Sequence, residues 1–110
     1  MQHFCLTLDL RRDPALIAEY IEYHKEGWHE IHASIRDACV LDMQLYELDG
    51  RLFMIMDTED DFSFERKARM DAANPRVREW EALMARFQDV GTDDDPSGKW
   101  KLMGKIFQLR

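Results

Sequence analysis

Apolar and polar positions change period several times along this chain. Residues 3 to 10, HFCLTLDL, alternate strictly, with Phe4, Leu6, Leu8 and Leu10 on one side and His3, Cys5, Thr7 and Asp9 on the other. That is the period of a strand with one covered face. From Pro14 the repeat lengthens: Leu16, Ile17, Tyr20, His24, Gly27 or Trp28, Ile31 and Ile35 recur at helical spacing. One helix is therefore expected from Pro14 to about Asp37. Asp13 stands at its N-cap position and Pro14 at the first helical position, where a missing N–H costs nothing.

Alternation returns in CVLDMQLYEL (39–48) and RLFMIMD (51–57), joined by Asp49-Gly50, the pair that best tolerates the positive φ angles of a type I′ turn. A two-residue turn sets Leu48 against Arg51, Tyr46 against Phe53, Gln44 against Ile55 and Met43 against Met56. One face then carries Met43, Leu45, Leu52, Met54 and Met56, and the other Tyr46, Leu48, Phe53 and Ile55. Both are largely apolar. So short a chain can cover only one of them with helices, so the other is expected to meet a second copy.

DDFSFERKARMD (60–71) predicts a short helix, and Asn74-Pro75 restarts another, PRVREWEALMARFQ, with Val77, Trp80, Met84 and Phe87 on one face. GTDDDPSG (91–98) is an acidic, turn-rich loop. KWKLMGKIFQLR (99–110) is expected to close the chain as a strand, with Trp100, Leu102, Ile106 and Gln108 on one face. The order βαββαβ is the ferredoxin-like split unit, an α+β fold with an antiparallel sheet.

With 110 residues, 45% of them apolar, the chain is expected to form one domain over residues 1–110 around a single core. No apolar run is long enough to span a bilayer, and the N-terminus lacks a basic region and a cleavage site, so no membrane association and a cytoplasmic location are expected. The formal net charge of −7, with no cluster of Lys and Arg among aromatics, disfavours nucleic acid as a partner. A neutral or cationic small ligand, or a protein, fits better. Cys5 and Cys39 have no CxxC spacing and are expected to be buried free thiols.

The chemistry concentrates in AEYIEYHKEGWHEIH (18–32). HEIH (29–32) is one residue shorter than the HExxH zinc motif, so no metal is expected and His29 and His32 belong on a solvated or flanking face. His24 shares the apolar stripe with Tyr20 and Trp28, one turn away on either side. Such a histidine is either a satisfied core residue or a site group. Polar tips on an aromatic lining suit a small-molecule pocket, and Trp80 can supply another wall. Asp42 and Asp57 face each other near the open end of the hairpin, where one of them can serve as a polar pocket group. No nucleophile motif or glycine-rich phosphate loop is present.

EYIEYHKEGWHEI resembles the first-helix segment of the L-rhamnose mutarotase family, in which a tyrosine, a histidine four residues later and a Trp-Pro-Glu run occur together. LYELDGRLFMIMDTED, FERKARMDAANPRVREWEALM and GKWKLMGKIF extend the resemblance over nearly the whole chain and are most similar to the branch associated with L-fucose. The resemblance implies a dimeric α+β barrel, a homodimer acting on a small free monosaccharide, interconversion of the α and β anomers of a 6-deoxyhexose, and no cofactor. It implies His24 as the acid/base group and Tyr20, Trp28, Met43 and Trp80 as substrate-binding residues. The sequence departs from the rhamnose pattern in three places: a second-strand tyrosine falls at Met43, a second consecutive tryptophan at Glu81, and the Trp-Pro-Glu run is Trp28-His29-Glu30. L-fucose is therefore the expected sugar, with L-rhamnose the alternative. A small monooxygenase or a non-catalytic ligand-binding dimer are the readings that the fold order alone leaves open.

Overall fold

The computed structural model describes residues 1–89 and 100–109; the acidic loop expected at 91–98 lies outside them. The elements are β1 (Gln2–Asp9), α1 (Pro14–Glu26), α2 (His29–Asp37), β2 (Val40–Leu48), β3 (Arg51–Thr58), α3 (Phe64–Ala73), α4 (Pro75–Ala85) and β4 (Lys101–Leu102). The strands form one antiparallel sheet in the order β2-β3-β1-β4, the strand order of a ferredoxin-like α+β fold.

Local chemistry sets each boundary. Asp13 accepts a hydrogen bond from the Ala15 N–H at 2.9 Å and Pro14 opens α1. Ser63 caps α3 through the Arg66 N–H, and Asn74 caps α4 through the N–H groups of Arg76 and Val77. At the hairpin, Asp49 and Gly50 both take positive φ, 49° and 87°, as a type I′ turn requires. The register follows: Leu48 faces Arg51, Tyr46 faces Phe53, Gln44 faces Ile55 and Met43 faces Met56.

The expected single helix from Pro14 to Asp37 is two helices. Gly27 adopts φ 67° and ψ −172°, which is not helical, and Trp28 is extended, so α1 closes with the Gly27 N–H donating to the Tyr23 carbonyl at 3.1 Å. Periodicity hides such a break, because the apolar stripe resumes in phase on α2. A second correction concerns the last strand. Only Lys101 and Leu102 pair with β1, and Ile106, Phe107 and Leu109 are 98%, 74% and 84% exposed. An alternating pattern states that a segment can be a strand; the ladder also needs a neighbouring edge, which this chain by itself supplies for two residues.

All the helices that enter the core lie on one face of the sheet. Leu8, Leu10, Tyr20, Leu52, Met84 and Phe87 form one buried cluster, and Leu6, Val40, Met54, Met56 and Phe62 a second. Half-buried Trp100 packs against both. On the opposite face Tyr46 and Leu48 are exposed. Cys5 and Cys39 are free thiols, half-buried rather than fully so: Cys5 points to the helix-free face, and Cys39 sits in a left-handed turn at φ 72° where α2 passes into β2.

Candidate active site

Where the two clusters meet, a cavity of about 550 Å³ opens between the helices and the sheet. Helix α1 contributes Tyr20 and His24, the α1–α2 junction contributes Trp28, strand β2 contributes Met43 and helix α4 contributes Trp80. All five residues singled out in the sequence therefore line one space. They come together because α1 and α4 both present their apolar stripes to the same sheet face, and β2 runs beneath the ends of those stripes.

The rings are in mutual contact. The centroid of His24 lies 4.4 Å from that of Tyr20 and 5.3 Å from that of Trp80, the latter edge to face. Trp80 in turn meets Trp28 edge to face at 5.0 Å. Pairs of this geometry contribute about 0.5–1.5 kcal/mol each beyond area burial. This wall is stiff and flat.

The imidazole is oriented by its own helix. Nδ1 of His24 lies 2.9 Å from the Tyr20 carbonyl oxygen, which can only accept, so Nδ1 carries the proton and in the neutral ring Nε2 keeps a free lone pair. Burial pushes the His24 pKa below its usual value, and the hydrogen bond to the Tyr20 carbonyl opposes this in part. The neutral form is thus the ground state at pH 7. Burial pushes the Tyr20 phenol the other way, up to about 12, against a smaller opposing effect of its hydrogen bond with the Gln88 side chain. It stays protonated across the physiological range, so its O–H can donate.

Several lining residues were not legible as such in the sequence. His32, expected on a solvated or flanking face, is exposed and at the same time borders the cavity, its ring folded back over Gly27. Gly27 makes this possible, since a Cβ there would lie 2.6 Å from His32 Nε2. His29 is exposed, as expected. Arg36, Asp42 and Trp100 also border the space. Of the two aspartates weighed as polar pocket groups, Asp42 reaches the cavity, while its cross-strand neighbour Asp57 bonds to His3 instead. A helical period placed His32 one position off the stripe, and only the break at Gly27 turns it inward.

The family model for L-rhamnose mutarotase matches residues 3–109. The chain belongs to the L-rhamnose mutarotase family. Among curated relatives, it is 40% identical over 111 residues to an L-fucose mutarotase of Xanthomonas campestris pv. campestris, covering 99% of this chain and 89% of that protein. It is 36% identical over 88 residues to an L-rhamnose mutarotase of Verminephrobacter eiseniae, covering 76% of each chain. A crystal structure of an L-rhamnose mutarotase from Formosa agariphila superposes with a TM-score of 0.74 over 100% of both chains at 17% identity, a likeness of fold.

The protein is thus a sugar mutarotase of the rhamnose/fucose type, an isomerase acting on carbohydrates. Mutarotation interconverts anomers by breaking and remaking the C–O bond of a hemiacetal ring, a reaction that general acid/base groups can promote. A ring nitrogen with a free lone pair, set among flat aromatic walls, can serve that reaction. Away from the cavity, Cys39 Sγ and the exposed carboxylates of Glu59 and Asp61 lie within 4.8 Å of one another, and the Arg66 guanidinium stands 3.5 Å from the sulfur. No helix among the described residues is long and apolar enough to cross a membrane.

Proposed function

We propose that this mutarotase interconverts the α and β anomers of free L-fucose, with His24 as the proton-transfer group. The observation that carries the reading is the hydrogen bond from His24 Nδ1 to the Tyr20 carbonyl, which leaves Nε2 as a base in an aromatic-walled cavity. Nε2 takes the proton of the anomeric hydroxyl as the bond between the anomeric carbon and the ring oxygen breaks, and the imidazolium passes that proton to the ring oxygen, leaving a neutral imidazole and the open-chain hydroxyaldehyde. The aldehyde rotates about the C1–C2 bond. The hydroxyl then attacks the other face of the aldehyde and gives its proton to Nε2, and the imidazolium delivers it to the new anomeric oxygen. Tyr20 donates a hydrogen bond to a sugar oxygen, and Trp28 and Trp80 cover C–H faces.

Sugar choice rests on Met43 and Glu81, which stand where the rhamnose branch has a tyrosine and a tryptophan. A sugar hydroxyl left without its partner costs about 1–3 kcal/mol, so the two 6-deoxyhexoses are separated by roughly 5- to 150-fold. Exchange NMR of anomeric protons measures this directly. Faster exchange for L-rhamnose than for L-fucose would overturn the sugar assignment, and no exchange with either would remove His24 as its catalyst.

We further propose a cytoplasmic homodimer. The helix-free sheet face leaves Tyr46 57% and Leu48 74% exposed, and in the tail from Met103 to Leu109, which bonds to β1 through the Met103 N–H, Ile106, Phe107 and Leu109 are exposed. Apolar patches of this kind are uncommon on monomers. Light scattering that returned a stable monomer at micromolar concentration would contradict it.

A further inference from the structure

Arg76 lies outside the cavity, in the first turn of α4, yet it ends the chain of rings that forms the cavity wall. Its guanidinium carbon sits 3.8 Å from the centroid of the Trp28 ring, and the ring contacts continue through Trp28–Trp80 at 5.0 Å to His24 at 5.3 Å. Two carboxylates hold the guanidinium in place. Nη1 bonds Glu79 Oε2 at 2.8 Å, one turn along α4, and Nε lies 3.6 Å from Glu30 Oε2 in the first turn of α2. The Glu30 carboxyl is itself drawn below its usual pKa range, chiefly by its own backbone N–H and further by Arg76.

Trp28 needs such a tether. It is the extended residue at the break between α1 and α2, and it caps α2 with no side-chain hydrogen bond. Without a partner its indole can swing on a junction whose neighbour is a glycine. A planar cation stacked on it, anchored to both α2 and α4, restricts that motion; lysine, a compact point charge on a flexible stem, does so less well.

We propose that Arg76 is a positioning residue of the sugar site, clamping Trp28 so that Trp28 and Trp80 stand as a rigid wall beside His24. It contributes to binding and takes no part in proton transfer. The kinetic arm of the test rests on the mutarotase reading above, and the spectroscopic arm does not.

The test compares Arg76→Met and Arg76→Lys with the wild type. Met keeps the aliphatic stem of a half-exposed side chain, so folding is expected to survive. In the free protein, the indole N–H signals of Trp28 and Trp80 and the ring signals of His24 are expected to shift in Arg76→Met. In anomer exchange of L-fucose, KM is expected to rise about two- to fivefold, the scale of a partly exposed cation–π contact, with kcat unchanged within error. Arg76→Lys is expected to recover less than half of that rise. A residue needed for folding alone would lower the active fraction, hence apparent kcat, and leave KM in place. Unmoved ring signals in Arg76→Met, or an unmoved KM, would overturn the proposal, as would full recovery by lysine. If the wild type exchanged no sugar at all, the mutarotase reading of the site would fall and the ring signals would decide the clamp.

Discussion

The backbone carbonyl of Tyr20 accepts a hydrogen bond from Nδ1 of His24, 2.9 Å away and one helical turn later. Two consequences follow from this contact. It selects the tautomer that leaves Nε2 free, and it uses a carbonyl of α1 rather than a carboxylate, so the imidazole is oriented without being made strongly basic. The site therefore holds a weak base that is unprotonated at neutral pH.

Replacing His24 by Ala is expected to reduce anomer exchange by about 10²- to 10⁴-fold, the usual contribution of a positioned acid/base group. Sugar binding is expected to change modestly, because the aromatic walls remain. Exchange NMR on a variant shown to be folded by circular dichroism checks this, and retention of more than about a third of the wild-type rate would exclude His24 as catalyst.

The pH profile follows from the direction of the His24 shift. Burial lowers its pKa from 6.5, so the basic form is already dominant at neutrality and the rate is expected to be flat between about pH 7 and 8, falling only on the acid side. Folding is linked in the same sense: a depressed folded pKa contributes stability that is full above the unfolded value and is lost as pH falls through the folded one. An acid limb centred above pH 6.5, measured in kcat/KM, would contradict the assigned environment.

Trp80→Ala is expected to weaken sugar binding more than turnover. The ring lines the cavity and touches both His24 and Trp28, so its loss removes a wall while the hydrogen bond that orients His24 persists. KM for L-fucose is expected to rise by about tenfold or more, with a smaller change in kcat. A variant that lost kcat with KM unchanged would place Trp80 in the chemistry instead.

Tyr20 is expected to ionise at about pH 12 in an ultraviolet pH titration. A folded pKa raised above the unfolded value near 10 gives stability that is complete below pH 10 and lost as pH rises through 12, roughly 2–3 kcal/mol over that window. Tyr20→Phe removes this linkage, so its unfolding free energy is expected to lose that pH dependence.

Gly27→Ala is expected to destabilise the fold by about 2 kcal/mol, since φ 67° with ψ −172° belongs to a region that side chains avoid at a cost of about 1–3 kcal/mol. The added Cβ also meets the His32 ring. Chemical denaturation checks the value. His32→Ala in the same background is expected to relieve only the steric part.

Local rules that act between near neighbours were readable from the order of residues. The caps at Asp13 and Asn74, the turn at Asp49-Gly50 and the hairpin register depend on contacts within a few positions or on alternation that admits one pairing. The stripe of Tyr20, His24 and Trp28 and the face of Trp80 were legible for the same reason, because each is a period on one helix. Tertiary structure decided what a period cannot express. It broke the first helix at Gly27, where glycine takes a positive φ at little steric cost and the apolar period, resuming in phase on α2, leaves no mark of the break. It brought Met43, Arg36 and Asp42 to the same cavity from separate elements, and it set Arg76 against Trp28 across two helices. It also left residues 104–109 outside the ladder, because a strand is completed by an edge and no pattern along one chain specifies where that edge comes from.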